Sequence, residues 1–87
     1  MVGGVISAKT IEACVAVAAK AESRYGAIAS THESLGVLAE EMYELTACIR
    51  ANALDAVRHE AIDVAAAALR LADACQGQPE FERRSRK

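Results

Sequence analysis

Five acidic residues in two short segments carry the chemistry that this sequence allows. They are Glu40, Glu41, Glu44, Glu60 and Asp63. Residues three apart on a helix lie one turn apart on the same face, so Glu41 pairs with Glu44 and Glu60 pairs with Asp63. If the segments form two helices of a hairpin, the pairs meet and repel one another unless a cation neutralises them. Because Mg²⁺ prefers oxygen ligands and commonly acts with substrate phosphates, the spacing predicts a magnesium site.

The helical rotation of roughly 100° per residue separates these acids by direction. Glu41 and Glu44 fall beside the apolar edge of their helix, whereas Glu40 turns further toward solvent. Glu60 falls in the middle of an apolar face, with Asp63 beside it. A solvated acidic face is the usual explanation for a lone Glu-Glu pair, but it does not explain two matched pairs against apolar residues. We therefore expect the four paired acids to point inward.

The same segments resemble the two motifs of a known enzyme family. EEMYE at 40–44 and EAID at 60–63 look like the EExxE and ExxD motifs of the MazG-like, all-α nucleoside triphosphate pyrophosphohydrolases. The resemblance extends over about residues 25–74, and the stretch 60–71 is similar to short phage-type and bacterial members. It implies Mg²⁺-dependent cleavage of a (deoxy)nucleoside triphosphate between the α and β phosphates, which gives a monophosphate and pyrophosphate.

The resemblance also implies a role for each acid. Glu41, Glu44, Glu60 and Asp63 would hold Mg²⁺, and Glu40 would orient or deprotonate the attacking water. The alternative is a non-catalytic helical module that binds a nucleotide or a partner and keeps the acids as a metal-stabilised core. A plain structural bundle is a third, weaker hypothesis.

Three helices must position these residues, since apolar spacing predicts helices over about 7–25, 31–50 and 53–75. Gly26 suits the end of the first helix. Ser30 and Glu33 have the spacing of a capping box at the start of the second. Asn52 is predicted to be the N-cap of the third.

The fold class that follows is all-α, a small helical hairpin or three-helix bundle of the MazG-like type. Residues 1–76 are predicted to form this domain, and Gly77 and Pro79 to begin a flexible charged tail over 77–87. The chain has only three aromatic residues and no Trp, and its hydrophobic residues are largely alanine, so the core is thin. We expect a homodimer or a tetramer because small domains often need such support.

Composition also limits the partners and the location. Four of the ten basic residues lie at 83–87, which leaves six against twelve acids in residues 1–82 and argues against a nucleic-acid-binding face. Three widely spaced cysteines without a metal or redox motif favour a reducing, cytoplasmic compartment. The sequence offers neither a membrane span nor the charged start of a signal peptide.

Two further residues have competing interpretations. Arg70 lies two turns beyond Asp63, so we expect it to pair with that carboxylate or to contact a phosphate. His59 is expected to point away from the acidic pairs and to have a structural or surface role.

Overall fold

The computed structural model describes residues 5–76 and 79–86, which form four helices. They are α1 (Ala8–Tyr25), α2 (Thr31–Arg50), α3 (Leu54–Ala74) and α4 (Pro79–Ser85). The described residues contain no β-strand, so the all-α prediction is confirmed. The first three helices begin and end within about a residue of the predicted bounds.

Side-chain caps fix the starts of α1 and α2. The Ser7 Oγ accepts a hydrogen bond from the Thr10 backbone N–H, and the Ser30 Oγ accepts one from the Glu33 backbone N–H, both at 3.2 Å. The Glu33 carboxylate accepts in return from the Ala29 backbone N–H at 2.6 Å, one residue before the N-cap. These bonds satisfy amides that a helix start leaves without intrahelical partners, so the predicted capping box is present in a slightly extended form.

The turn between α2 and α3 differs from the prediction at Asn52. Asn52 is not the N-cap, because it adopts a left-handed conformation with φ of 56° and lies inside the turn. The N-cap is Ala53, which provides no side-chain hydrogen bond. Asn tolerates this backbone conformation better than most residues, so its role here is to let the chain reverse within three residues. The resulting hairpin places α2 and α3 side by side.

Helix α3 is central, since it packs against both α1 and α2. The buried apolar residues among those described are Ile28, Ala66, Ala67 and Phe81. Two of these are alanines, whose small side chains let the neighbouring helices approach α3 closely. The core is therefore as thin as the composition predicts.

The segment after α3 also differs from the prediction of a flexible tail. Residues 79–85 form α4, and Phe81 on this helix is buried. The Ser85 Oγ accepts a hydrogen bond from the Thr31 backbone N–H at 2.9 Å, and the Arg84 Nε donates to the Ala29 carbonyl. Burial of the large Phe81 side chain stabilises this charged segment as a helix. Positions 77, 78 and 87 of the predicted tail lie outside the described residues.

Arg70 does not pair with Asp63 as expected. Its Nε donates to the Glu22 carboxylate at 2.7 Å, and its Nη2 donates to the Gly26 carbonyl at 3.0 Å. The guanidinium therefore ties α3 to the end of α1. The guanidinium has several N–H donors, so it can donate to the Glu22 carboxylate and the Gly26 carbonyl at once.

Among the described residues, none of the helices combines the length and the apolar character needed to cross a membrane.

Candidate metal centre

The α2–α3 hairpin brings acids from both predicted pairs together. One carboxylate oxygen from each of Glu41, Glu44 and Glu60 lies within 4.8 Å of the other two. Glu41 and Glu44 lie one turn apart on α2, and Glu60 faces them from α3. The hairpin therefore gathers three oxygens from two helices, as the spacing predicts.

A second group of ligand atoms overlaps the first. His59, Glu60 and Asp63 each offer an atom within 4.8 Å of the others, and the His59 Nε2 lies 3.6 Å from Asp63 Oδ2. Sequence reasoning missed His59 because it placed the residue away from the acids. The spacing of four residues between His59 and Asp63 was the signal that could have found it, since such residues are neighbours on a helix surface.

The acids differ in how far they are withdrawn from water. Glu41, Glu60 and Asp63 are half-buried, as expected for inward-facing residues. Glu44 is exposed, which contradicts its predicted inward orientation, although it remains close to Glu41 and Glu60. Glu40 is exposed, which agrees with the prediction that it turns further toward solvent than the other four acids. The cluster is thus open to solvent on the Glu44 side.

Glu60 contains the most unusual atom of the cluster. Its Oε1 is shielded from solvent and has no hydrogen-bond partner among the described residues. A buried oxygen without a partner is costly, and a buried carboxylate more so. A cation at this position would remove that cost.

Burial and neighbouring charges change the pKa of Glu41 and of Glu60. Burial raises the pKa of Glu41 to about 7, with further contributions from the charge of Asp63, a hydrogen bond with Glu44 and the charges of Glu44 and Glu60. Burial also raises the pKa of Glu60, helped by Glu44 and Asp63, while His59 acts in the opposite direction. In the metal-free protein Glu41 and Glu60 therefore retain protons to a higher pH than isolated carboxylates do.

A cavity of about 420 Å³ lies beside the acids, between α1, α2 and α3. Glu40, Glu41 and Asp63 lie on its polar side. Its other walls are mainly apolar and include the following residues: Val17, Ala21, Tyr25, Ile28, Val37, Ala66 and Ala67. Glu40 is outside both groups of ligand atoms but shares this cavity with Glu41. A molecule in the cavity would meet apolar side chains on one side and carboxylates on the other.

The donor set is compatible with a hard divalent cation, of which Mg²⁺ is one. Glu41, Glu44 and Glu60 provide only carboxylate oxygens, the ligand type that hard divalent ions prefer, and Mg²⁺ usually retains waters that an open side can admit. The unpartnered Glu60 oxygen and the raised pKa of Glu41 both indicate that positive charge would relieve this cluster. Which residues act as ligands stays a prediction.

Comparison of the chain with protein-family models, curated proteins and solved structures gives no match. Membership of the MazG-like family stays a prediction that depends on the two acidic motifs.

Proposed function

We propose that this protein is a magnesium-dependent nucleoside triphosphate pyrophosphohydrolase, which cleaves a (deoxy)nucleoside triphosphate to the monophosphate and pyrophosphate. The observation that carries the proposal is the group of carboxylates that α2 and α3 bring together, with the unpartnered Glu60 oxygen, at the wall of a cavity. The acids form a cation site, and the adjacent cavity provides room for a bound molecule.

Each acid has a distinct role in this proposal. Glu41, Glu44, Glu60 and Asp63 would hold the metal ion. When bound, Mg²⁺ would supply positive charge that neutralises phosphate oxygens. Glu40 lies on the same cavity but outside the ligand groups, so its carboxylate is free to accept a proton from the attacking water.

The charge of the cavity explains why a metal is needed. Four of the described lining residues are acids, and Arg70 is the one Lys or Arg among them. Arg70 already binds Glu22 and the Gly26 carbonyl. A triphosphate would therefore be repelled by this wall unless divalent ions accompany it. The volume of about 420 Å³ lies in the usual range for small-molecule sites.

A nucleotide panel tests the proposal. Purified protein with Mg²⁺ is incubated with each common nucleoside and deoxynucleoside triphosphate, and the products are separated to distinguish monophosphate with pyrophosphate from diphosphate with phosphate. We expect the first pair of products from at least one nucleotide, and we expect loss of this activity on chelation of the metal.

Matched variants assign the activity to the site. Glu41→Gln and Asp63→Asn should abolish turnover and weaken Mg²⁺ binding, whereas Glu40→Gln should lower kcat and leave Mg²⁺ affinity nearly unchanged. Glu12→Gln, at an exposed position of α1, should behave like the natural chain. The enzyme proposal is wrong if no nucleotide is cleaved by protein with Mg²⁺ confirmed bound by titration calorimetry.

Arg70 is the one Lys or Arg among the described residues of the cavity wall, and it already binds Glu22 and the Gly26 carbonyl. This shortage of positive charge for a triphosphate favours a second candidate function. In that case the protein is a non-catalytic helical module in which the acids bind a metal that stabilises the hairpin. Since a ligand of the folded state alone raises stability by mass action, Mg²⁺ and Ca²⁺ would both raise Tm without any turnover. A plain structural bundle would show neither effect.

We also propose that the protein is a cytoplasmic homo-oligomer that does not bind nucleic acid. The few buried apolar residues among those described support self-association. Cys14, Cys48 and Cys75 are all free, which is consistent with a reducing compartment.

A further inference from the structure

The cavity beside the candidate metal centre has charged side chains at two levels. Glu41 and Asp63 of the metal centre lie at the first level. The second level, which we call the far end, consists of Glu33 on α2 and Arg70 on α3. Glu33 lies eight residues before Glu41. Arg70 lies seven residues after Asp63, so both residues of the far end lie away from the turn of the hairpin. At the rise of an α-helix, the two levels are about 10 to 12 Å apart.

Apolar side chains of the cavity separate the far end from the metal centre. Val37 lies between the two levels on α2, and Ala66 and Ala67 lie between them on α3. Val17 and Ala21 of α1 line the same cavity. The distance between the levels is close to the length of a nucleoside, and apolar walls suit the faces of a sugar and a flat base. A nucleotide with its phosphates at the metal centre would therefore present the edge of its base to the far end.

Glu33 provides a hydrogen-bond acceptor at the far end. Its Oε1 accepts a hydrogen bond from the Ala29 backbone N–H at 2.6 Å. A carboxylate has two oxygens, so Oε2 can accept a bond from a bound molecule, and an ionised carboxylate donates none. The residue is exposed rather than enclosed by other parts of the chain. Glu33 therefore favours a ligand atom that carries hydrogen.

Arg70 provides hydrogen-bond donors at the same level. Its side chain is only 10% exposed, and its Nε and Nη2 donate to the Glu22 carboxylate and the Gly26 carbonyl. These two bonds fix the orientation of the guanidinium. Since the group has five N–H donors, others can contact a molecule in the cavity. The far end thus places an acceptor and a donor on neighbouring helices.

We propose that the far end binds the edge of a base with an exocyclic amino group beside a ring-nitrogen acceptor, as in cytosine and adenine, and that Glu33 determines this preference. The amino group would donate to Glu33 Oε2, and the ring nitrogen would accept from Arg70. Carboxylates accept from the amino group of cytosine in this way in other proteins. This inference rests on the proposed function, because it names the class of nucleotide that the same cavity takes.

The chemistry of Glu33 also excludes the corresponding oxo bases. Uracil has a carbonyl oxygen where cytosine has its amino group, and hypoxanthine has one where adenine has its amino group. Two acceptors that face each other repel and cannot share a hydrogen bond. The two pairs of bases are therefore matched ligands that differ mainly at the atom Glu33 would contact.

Calorimetric titration with these matched ligands tests the preference without requiring turnover. The α,β-methylene analogues of CTP, UTP, ATP and ITP lack the bridging oxygen at the bond to be cleaved, so binding can be measured with Mg²⁺ present. We expect the cytosine analogue to bind more tightly than the uracil analogue, and the adenine analogue more tightly than the hypoxanthine analogue. Each ratio of Kd values should be about tenfold or more, because the hydrogen bond is made to a charged group.

Glu33→Gln separates base recognition from the capping role of this residue. Gln serves in a capping box as Glu does, so Tm should be nearly unchanged. The Gln side chain can donate to a carbonyl oxygen, so both ratios of Kd values should fall to near one or reverse. A role of Glu33 in capping alone would not change either ratio. Glu12→Gln, on the exposed side of α1, should retain both preferences.

The outcomes distinguish this inference from the hydrolase proposal. Equal affinities within both pairs of analogues, ratios that persist in Glu33→Gln, or no nucleotide binding at all would each overturn it. Preferential binding of the amino bases without cleavage of CTP or ATP would support the far end as a base site and reject the hydrolase. Cleavage of nucleotides with no preference between amino and oxo bases would do the reverse.

Discussion

At the scale of single residues, the acids of the candidate metal centre repel one another. Glu41 and Glu60 both have raised pKa values because each is partly withdrawn from water and faces other carboxylates. The hairpin nevertheless keeps these side chains together rather than spreading them into solvent. This arrangement lowers the stability of the metal-free protein, and a bound cation would offset the repulsion. A variant that removes one of the charges should therefore be more stable without metal and should gain less stability from metal.

Glu41→Gln should change stability in opposite directions without and with Mg²⁺. In the metal-free protein at pH 8 we expect a higher Tm, because the amide removes a charge that Asp63 and Glu60 repel. With Mg²⁺ at about 100 times its Kd, the natural chain should gain about 2.7 kcal/mol, and the variant much less. Thermal melts with and without Mg²⁺ provide the comparison.

Glu12→Gln serves as the control for this change, because Glu12 is exposed on α1. It should leave both melts unchanged. If Glu41→Gln lowers Tm in both conditions, Glu41 has a structural role that does not depend on a metal.

The pH dependence of the metal-free protein follows from the same residue. The folded-state pKa of Glu41 is about 7, above its ordinary value of 4.5, so over this window the folded state holds a proton that the unfolded state has lost. The contribution of Glu41 to the free energy of unfolding is therefore largest below about pH 4.5, falls as pH rises toward 7 and is constant above it. Mg²⁺ should bind more tightly as pH rises through the same window, because metal and proton compete.

Urea unfolding of the metal-free chain at several pH values measures this dependence. The Glu41→Gln variant should show a flatter curve between pH 4.5 and 7 than the natural chain. Identical curves for the two proteins would mean that Glu41 titrates normally.

The sequence predicted which acids meet but not their full surroundings. The spacing of three placed Glu41 beside Glu44 on one face, and this depends only on helix geometry. The i, i+4 spacing of His59 and Asp63 also follows from helix geometry, and it is the signal that sequence reasoning missed. The exposure of Glu44 could not be predicted in the same way, because it depends on how α2 packs against its neighbours.

At the scale of elements, helix bounds were largely predictable because caps and breakers are local. Ser7, Ser30 and Gly26 act within one turn of the chain, so their effects follow from sequence. The conformation of Asn52 and the folding of α4 depend on distant contacts instead. Phe81 is buried because the loop at Ile28 and the helix α2 lie near α4.

The packing of α4 makes Phe81→Ala a test of this element. Phe81 is 5% exposed, and truncation of a buried Phe commonly costs about 3 kcal/mol or more. We expect a loss of about 3 kcal/mol in urea unfolding followed by circular dichroism. Glu82→Ala on the same helix removes only an exposed ion pair with Arg86, so its effect should stay within about 0.5 kcal/mol. Equal and small effects of the two variants would mean that α4 does not pack as described.

At the scale of the whole molecule, the thin core and the exposed apolar side chains of α1 and α2 have a common consequence. The described residues bury few large apolar side chains, and α1 and α2 each pack mainly against α3. In the proposed homo-oligomer, a second copy packed on one of these helices would give that helix a core on both sides. The free energy of unfolding would then include the free energy of association.

This coupling predicts a Tm that depends on protein concentration. For a protein that unfolds from a dimer to two unfolded chains, dilution favours the unfolded state, so Tm should fall with each tenfold dilution. Differential scanning calorimetry of the natural chain over about a hundredfold range of concentration should show this fall. A Tm that does not depend on concentration would mean that the described helices are stable without a partner and that the exposed apolar side chains of α1 and α2 remain in water.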